Sequence, residues 1–470
     1  METKNADTKA RRVRILCTLA PLAALMAGFA SWLYQGGAGR IASLVAAAAL
    51  LFLFAVCLIR LVPQWQRAWS GDPLPAYCPE GGRRSARRAR MHPFFKIAAV
   101  VALSRVLLFV AAYLIACRSS GYSGGVFDRL DLWNPERCDS RGYLWLAEHW
   151  YTAAGSERFY LALFPFYPAV LRVLNYIFQS HLVTGLFVSN VALVFAACLL
   201  YELTLFDADR STGLRAVKYL CILPGCLPLS TPPPHSLFLL LSIACLYLVR
   251  KKRYAFAALT GMFAAFTLPL GILLLLPALM ELIGDCIADR KLSQSGRALF
   301  FAYLPKFLSL LLIPVGLGLY LWINVQVSGE PFRFVSYQAE YWNHRLSFFF
   351  NTAAYQTTGL MQALGNGNVS EAIGLWGPNL AYLFGSLAIL IPAVPRLRSS
   401  YTAYFLLYFA LAAGSTGLLS APRILTAAFP LPLALACASG KRWADLLLTL
   451  LCLGGLAVYL YAGVMQWHVF

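Results

Sequence analysis

Long apolar runs recur along almost the whole chain, separated by short polar breaks. A helix that crosses a bilayer needs roughly 20 apolar residues. Thirteen runs read as such helices: 15–34, 41–62, 97–117, 182–205, 213–229, 235–250, 254–269, 271–284, 300–325, 373–394, 401–418, 424–440 and 443–466. Several are short. One pair is broken so closely, at Pro269 and Gly271, that it reads as two half-helices or a tight hairpin.

Charge orients this pattern. Lys and Arg gather in 1–14, 83–96, 251–253, 290–306, 396–398 and 441–442, and basic loops stay on the cytoplasmic side. The thirteen runs place all of these loops on one side, provided 161–178 does not cross. That segment opens with Phe164-Pro165-Phe166-Tyr167-Pro168 and is expected to be an interfacial or re-entrant helix. The loops 118–181, 230–234, 326–372 and 419–423 then face outward. Residues 1–62 read as an N-terminal helical hairpin, 63–96 as a basic linker whose Arg83–Arg90 run contacts lipid headgroups, and 97–470 as the core. The first run follows Lys9, Arg11, Arg12 and Arg14 without a clear cleavage site, the pattern of a signal anchor.

Composition agrees with this pattern. The chain is 60% hydrophobic and 13% charged, against about 25% charged in soluble domains, and its mean hydropathy is +0.65. The class is an all-α polytopic membrane protein. The net charge of +19 follows from the basic loops, and no basic patch on a soluble face points to nucleic acid. The 12 cysteines are scattered, mostly within apolar runs, with no CxxC and no metal-ligand spacing.

Polar chemistry concentrates on the outward face. Residues 128–168 hold six of the chain's 20 acids (Asp128, Asp131, Glu136, Asp139, Glu148, Glu157) and four arginines (Arg129, Arg137, Arg141, Arg158). A connector between helices needs no such concentration, whereas a site at a membrane surface does. Asp139, between Arg137 and Arg141, is either a general base for an acceptor hydroxyl or one half of a structural ion pair. Glu148 and His149 are a polar pair on the helix expected over 143–150, with a plain helix-surface pair as the alternative. The aromatic cluster around Tyr167 is either a membrane-interface belt or a rigid wall for a lipid chain or sugar face. Three prolines before His235 either cap a helix or set its N–H groups toward a phosphate. Arg333, Gln338 and Trp342 form a second outer cluster suited to sugar or headgroup contact, or to an aromatic belt. Arg423 at a helix mouth breaks the positive-inside trend. Its partner is a lipid phosphate or a carboxylate such as Asp139. There is no Walker A motif, no GxGxxG, no HExxH and no DxD pair, which disfavours a nucleotide-sugar enzyme.

These motifs, in this order, resemble the bacterial relatives of the second mannosyltransferase of GPI-anchor assembly (the PIG-V family), which have the GT-C glycosyltransferase fold. The resemblance rests on Arg137-Cys138-Asp139-Ser140-Arg141-Gly142-Tyr143-Leu144, Leu146-Ala147-Glu148-His149-Trp150-Tyr151, Phe164-Pro165-Phe166-Tyr167-Pro168, Pro331-Phe332-Arg333-Phe334-Val335 leading to Gln338 and Trp342, and Pro422-Arg423 leading to Phe429-Pro430, with Ser104-Arg105 opening the first core helix. It covers about residues 97–466. Cys138 stands where relatives carry a Trp before the Asp, His235 replaces a Tyr-Ser-Glu type of start, and Thr267-Leu268 lacks the Arg that relatives often carry before Pro269.

The resemblance implies transfer of a sugar, mannose first, from a polyprenyl-phosphate donor to a glycan or lipid acceptor, with inversion. The reaction would take place on the extracytoplasmic face of a bacterial plasma membrane and would need no metal. Asp139 is then the expected base and Arg423 the first expected phosphate partner, followed by Arg141 and Arg333. Arg137, Glu148, His149, Tyr167, His235, Gln338 and Trp342 are expected substrate contacts. The rival is a transporter or flippase of lipid-linked or small polar substrates, which requires ionisable groups within the spans. Here Arg105 and Glu202 read as lying near span ends.

Overall fold

A computed structural model describes residues 19–37, 39–70, 92–121, 124–125, 139–291, 295–415 and 418–467. Apart from one isolated β-bridge, Leu346 to Ser415, their regular structure is helical. Helices α1 (Leu19–Tyr34) and α2 (Ile41–Ser70) form the N-terminal hairpin, and α3 (His92–Ser120) follows. The outer loop contains α4 (Ser140–His149), a 3₁₀ turn (Ser156–Ala162) and α5 (Phe166–Phe178). Next come α6 (His181–Thr204), α7 (Arg210–Ile222), α8 (His235–Arg250), α9 (Tyr254–Thr267), α10 (Leu275–Lys291), α11 (Gly296–Leu310) and α12 (Leu312–Ser328). The chain closes with α13 (Arg333–Tyr341), α14 (Phe349–Gly365), α15 (Gly377–Ala393), α16 (Ser399–Ala412), α17 (Ala421–Thr426), α18 (Pro430–Ala438) and α19 (Arg442–Val464).

Among the described residues, seven helices are long and apolar enough to cross a membrane, or nine if two bent pairs are counted as spans. The protein is therefore a multi-pass membrane protein. The remaining apolar runs are shorter or broken by proline and glycine. Backbone breaks at membrane depth are tolerated where protein, not lipid, surrounds them. The broken helices are accordingly inside: every residue from Pro430 to Cys437 of α18 is buried. The long α3 and α19 sit at the rim and expose Val100, Leu103, Val106 and Leu107, and Leu446, Leu450 and Leu451.

The segment 161–178 is not a straight span. Its 3₁₀ turn and α5 are bent by 109°. The break at Pro269 and Gly271 is a tight hairpin, because a Cβ on Gly271 would lie 2.3 Å from the Ala264 carbonyl carbon. Two segments carry helix that the sequence reading did not mark, and one expectation, that for Arg105, is corrected. Helix α2 continues through Pro63 to Ser70, so the stretch read as a linker begins as helix. The outer loop 326–372 contains α13 and α14. Helix α14 was hidden because its polar residues interrupt the apolar run, and their partners lie inside the protein: Thr352 donates to the Ser415 carbonyl at 3.1 Å, and Thr358 meets Ser43 at 2.8 Å. Arg105 is midway along the 29-residue α3 rather than near its end.

The basic end of the bundle is held by a charge network. Asp207, after α6, accepts from Arg250 Nη2 at 2.9 Å and from Arg398 Nη1 at 3.0 Å. Arg398 also donates to Glu281 at 2.6 Å, and Arg250 donates to the Tyr401 hydroxyl at 3.1 Å. Burial pushes the Asp207 carboxyl up, but hydrogen bonds and charge from Arg250 and Arg398 outweigh it and hold the group below the usual carboxylate range. A depressed carboxylate stabilises the fold above its unfolded pKa of about 3.9, and that stability is lost only as pH falls toward the folded value. Asp207→Asn is therefore expected to lower the thermal unfolding temperature in detergent by the same amount from pH 7 down to about pH 4. The gap to wild type should close only below that. A gap already closing at pH 6 would contradict this account.

Candidate active site

Helix α4 places Asp139. The helix buries Ser140, Gly142, Tyr143, Leu146 and Ala147 and turns Arg141, Glu148 and His149 to solvent, the division expected of an amphipathic helix lying on a bundle. Asp139 precedes its first turn, and its carbonyl accepts from Tyr143 N at 3.2 Å. An aspartate there normally spends its carboxylate on the helix's own N–H groups, but Asp139 makes no such cap. Its Oδ2 instead accepts from Arg423 Nη2 at 2.8 Å, across 284 residues of sequence. The Arg423 side chain is 9% exposed and that of Asp139 is 29% exposed, so the pair is nearly buried yet the carboxylate still reaches solvent.

Arg423 is held by its short helix, not by its own flexibility. Ala421 N donates to Asn379 Oδ1 at 2.8 Å, and the Tyr408 hydroxyl donates to the Ile424 carbonyl at 2.9 Å. The Tyr382 hydroxyl accepts from Gly225 N at 2.7 Å and contacts Thr426 Oγ1 at 3.2 Å. Helix α17 thus rests on the turn between α7 and α8, and only glycine fits at that contact: a Cβ on Gly225 would lie 2.0 Å from the Pro422 carbonyl oxygen. The turn itself is fixed from below by Arg105, which donates to the carbonyls of Cys221 (2.6 Å) and Cys226 (3.3 Å) and to Ser230 Oγ (3.3 Å).

Two further polar groups sit at this end. His235, the first residue of α8, is buried within the field of Arg423, and its Nδ1 has no hydrogen-bond partner among the described residues. Ser140 Oγ is likewise buried and unpartnered there. Burial and the adjacent Asp139 charge push the Tyr143 hydroxyl well above the usual tyrosine range, so it stays a hydrogen-bond donor. Asn379 and Tyr382 escaped the sequence reading, and Ser140 and Tyr143 entered it only within the motif around Asp139, with no site role. Only Tyr143 carried a signal, being one helical turn from Asp139.

The other expected site residues fall elsewhere. Arg137 lies outside the described residues, as do Asp128, Arg129, Asp131, Glu136 and Cys138. Arg141 is exposed. Glu148 is 3.9 Å from His149, whose ring stacks on Trp145 at 4.9 Å. Glu148 also lines a 420 Å³ cleft with Arg172, Asn175, Tyr176, Gln179 and His181. Tyr167 is fully buried, with its hydroxyl 2.9 Å from Ser189 Oγ. Phe164 stacks on Tyr320 at 3.9 Å and Phe166 on Phe263 at 4.7 Å. This cluster is packed core, so neither the exposed belt nor an open wall describes it. Arg333 pairs with Glu330 at 3.2 Å. The Gln338 carbonyl accepts from Trp342 N and His344 N, and the Trp342 ring meets Tyr341 at 4.6 Å. This second cluster docks on the 156–162 turn through Arg158–Glu340 (3.3 Å) and Phe159–Tyr341 (4.9 Å).

No family model matches the chain, and no curated protein matches it. Among solved structures, the apo oligosaccharyltransferase of Archaeoglobus fulgidus aligns over 81% of this chain and 57% of its own length, at 12% identity and a TM-score of 0.35. The alignment thus spans little more than half of that enzyme, and a likeness at this level assigns no function.

Gly225→Ala is expected to displace α17 and cost about 1–3 kcal/mol, read as a lower unfolding temperature in detergent. Gly385→Ala, on α15 with open space at its Cβ position, is expected to be neutral or slightly stabilising. Equal effects of the two would remove the close contact as the cause.

Proposed function

We propose that the protein is a membrane glycosyltransferase of the GT-C type. It moves a sugar, mannose first, from a polyprenyl-phosphate donor to an acceptor on the outer face, with inversion. The observation that carries the reading is the Asp139–Arg423 pair (2.8 Å). It joins a carboxylate suited to accept a proton and a guanidinium suited to bind a phosphate, nearly buried at the end of the bundle opposite the basic loops.

In this reading the donor's phosphate takes the place of the carboxylate on Arg423. Arg423 Nη2 turns to a phosphate oxygen, and Asp139 is released toward the acceptor. Its carboxylate removes the acceptor hydroxyl proton as that oxygen attacks the anomeric carbon. The bond from carbon to phosphate oxygen breaks on the opposite face. The polyprenyl phosphate leaves with the electron pair, and its charge is met by Arg423, already oriented by Asn379 and Tyr382. The buried polar atoms of His235 and Ser140 beside the pair are proposed as further contacts for the substrate. Glu148 and His149, beside the 420 Å³ cleft, are proposed for the acceptor side. Arg141, Arg137, Arg333, Gln338 and Trp342 are proposed as outer contacts of the donor or acceptor. Tyr167, buried with its hydroxyl 2.9 Å from Ser189 Oγ, is proposed to pack the site in place of touching substrate.

The partners of Arg105, deep in the rim helix α3, weigh against a transporter. The donors of Arg105 go to backbone carbonyls, Ser104 and Ser230, so it serves the turn below α17 and not a path across the membrane.

The test is transfer from polyprenyl-phosphate sugars by purified protein. Asp139→Asn keeps an oxygen for Arg423 but cannot take a proton, and is expected to lower turnover by roughly 10²–10⁴ with unfolding near wild type. Wild-type turnover by this variant would remove Asp139 as base. Arg423→Ala is expected to raise the donor KM and lower kcat, a loss on the order of 1.5–3 kcal/mol. Arg423→Lys should restore only part, because a point charge does not replace a planar fork. If Arg423 only holds the carboxylate, the defect appears as lost stability, with an unchanged donor KM in the protein that survives.

A further inference from the structure

A second polar cavity lies at the opposite end of the bundle. It measures 590 Å³ and is lined by Arg210, Ser211, Leu214, Arg215, Lys218 and Asp445. It lies along helix α7, with its Arg210 mouth at the helix end far from the Gly225 turn: 13 residues of helix, about 20 Å, run from that mouth to the other end of α7. It shares the basic end with Asp207, Arg250 and Arg398.

The lining is unbalanced in charge. Three cations face one acid, and that acid is committed: Asp445 Oδ1 accepts from Lys218 Nζ at 2.6 Å and from the Tyr219 hydroxyl at 2.8 Å. Arg215 donates to Thr212 Oγ1 at 3.0 Å and weakly to the Ser439 carbonyl at 3.3 Å. Its Nε is buried without a hydrogen-bond partner among the described residues, an unmet donor that an anion would satisfy. Arg210 and Ser211 are exposed at the mouth. They open α7, whose first turn is capped by the Asp209 carboxylate accepting from Thr212 N at 3.0 Å.

The surroundings say what kind of anion. On the α7 side Leu214 is exposed, and on the α19 side Trp443, Leu446, Leu447 and Leu450 are exposed. A basic notch bordered by lipid-facing apolar residues and an interfacial tryptophan is the setting in which lipid headgroups bind. The volume suits a headgroup-sized ligand.

We propose that this cavity binds a phosphate-bearing group, with the phosphodiester headgroup of an anionic phospholipid as its occupant in the membrane. Arg210 and Arg215 contact the phosphate oxygens, Ser211 donates to them, and the acyl chains run down Leu214 and the exposed face of α19. The site is independent of the transferase reading, since no residue is shared with the Asp139–Arg423 end.

The experiment uses the full-length protein in detergent, with native mass spectrometry and thermal unfolding after addition of phosphatidylglycerol, phosphatidylcholine or inorganic phosphate. Wild type is expected to retain phosphatidylglycerol over phosphatidylcholine. Arg210→Gln is expected to weaken that retention about fivefold, and Arg210→Gln with Arg215→Gln further. Arg297→Gln, an exposed charge outside the cavity, should change nothing. Stabilisation by inorganic phosphate with the same loss in Arg210→Gln supports the site and makes free phosphate a sufficient ligand. Retention of phosphatidylglycerol unchanged by Arg210→Gln, or weakened equally by Arg297→Gln, would show a diffuse positive face and overturn the proposal. Arg210 is exposed, so its variant folds even if Arg215→Gln does not.

Discussion

Everything at the outer end depends on how one buried arginine closes a broken helix. Helix α7 stops at Ile222 inside the bundle, where its last carbonyls have no water to turn to. Arg105, from the middle of α3, gives its guanidinium to the carbonyls of Cys221 and Cys226 and to Ser230. An unpaired charge or an unmet carbonyl in apolar surroundings each costs several kcal/mol, so each group needs the other. The turn made rigid in this way presents Gly225 to the backbone of α17, and α17 carries Arg423. The position of the outer guanidinium is thus set by a residue half a helix below it.

The two ends of the bundle use the same charges differently. At the basic end, two arginines and two carboxylates close on each other with a tyrosine hydroxyl and a serine between them. That network ties the ends of α6, α8 and α16 to the middle of α10. At the outer end Arg423 meets Asp139, and beside them lie His235 Nδ1 and Ser140 Oγ, which have no hydrogen-bond partner among the described residues. A closed network suits a fixed joint. A single pair with unmet polar neighbours suits a place where a ligand enters, because a ligand can satisfy more groups there than the pair alone does.

Much of this was legible in the sequence, and the limits have physical causes. Apolar run length marked the long helices, because a span has to match the bilayer. Polar residues packed inside a membrane protein look like loop residues in a one-dimensional reading, which hid α14 with Thr352 and Thr358. Asp139 and Arg423 were legible as charges that broke a trend, and pairing between them was one of two alternatives weighed for Arg423. The supports of the site were not legible. Asn379 and Tyr382 sit within an apolar run, and their roles follow from a helix packed at their level that comes some 40 residues later. The separate fates of Glu148 and Arg333 were also hidden, since being on one face of a membrane does not make residues neighbours.

The Asp139–Arg423 pair can be read as the resting form of a site that exchanges partners. A buried ion pair is weak evidence for stability, because desolvating both charges offsets most of their attraction. Breaking it by removing one partner is costly for the same reason. A phosphate arriving on Arg423 avoids that cost, since the guanidinium passes from one anion to another without being left alone. The same exchange moves Asp139 from a state in which its Oδ2 is occupied by Arg423 Nη2 at 2.8 Å to one in which that oxygen can accept from the acceptor hydroxyl. The carboxylate would then be free to meet the acceptor hydroxyl only when donor is present, which couples proton removal to occupancy of the leaving-group site. In the proposed transferase this ordering guards the reactive sugar phosphate against attack when Arg423 is not in place to receive the departing charge.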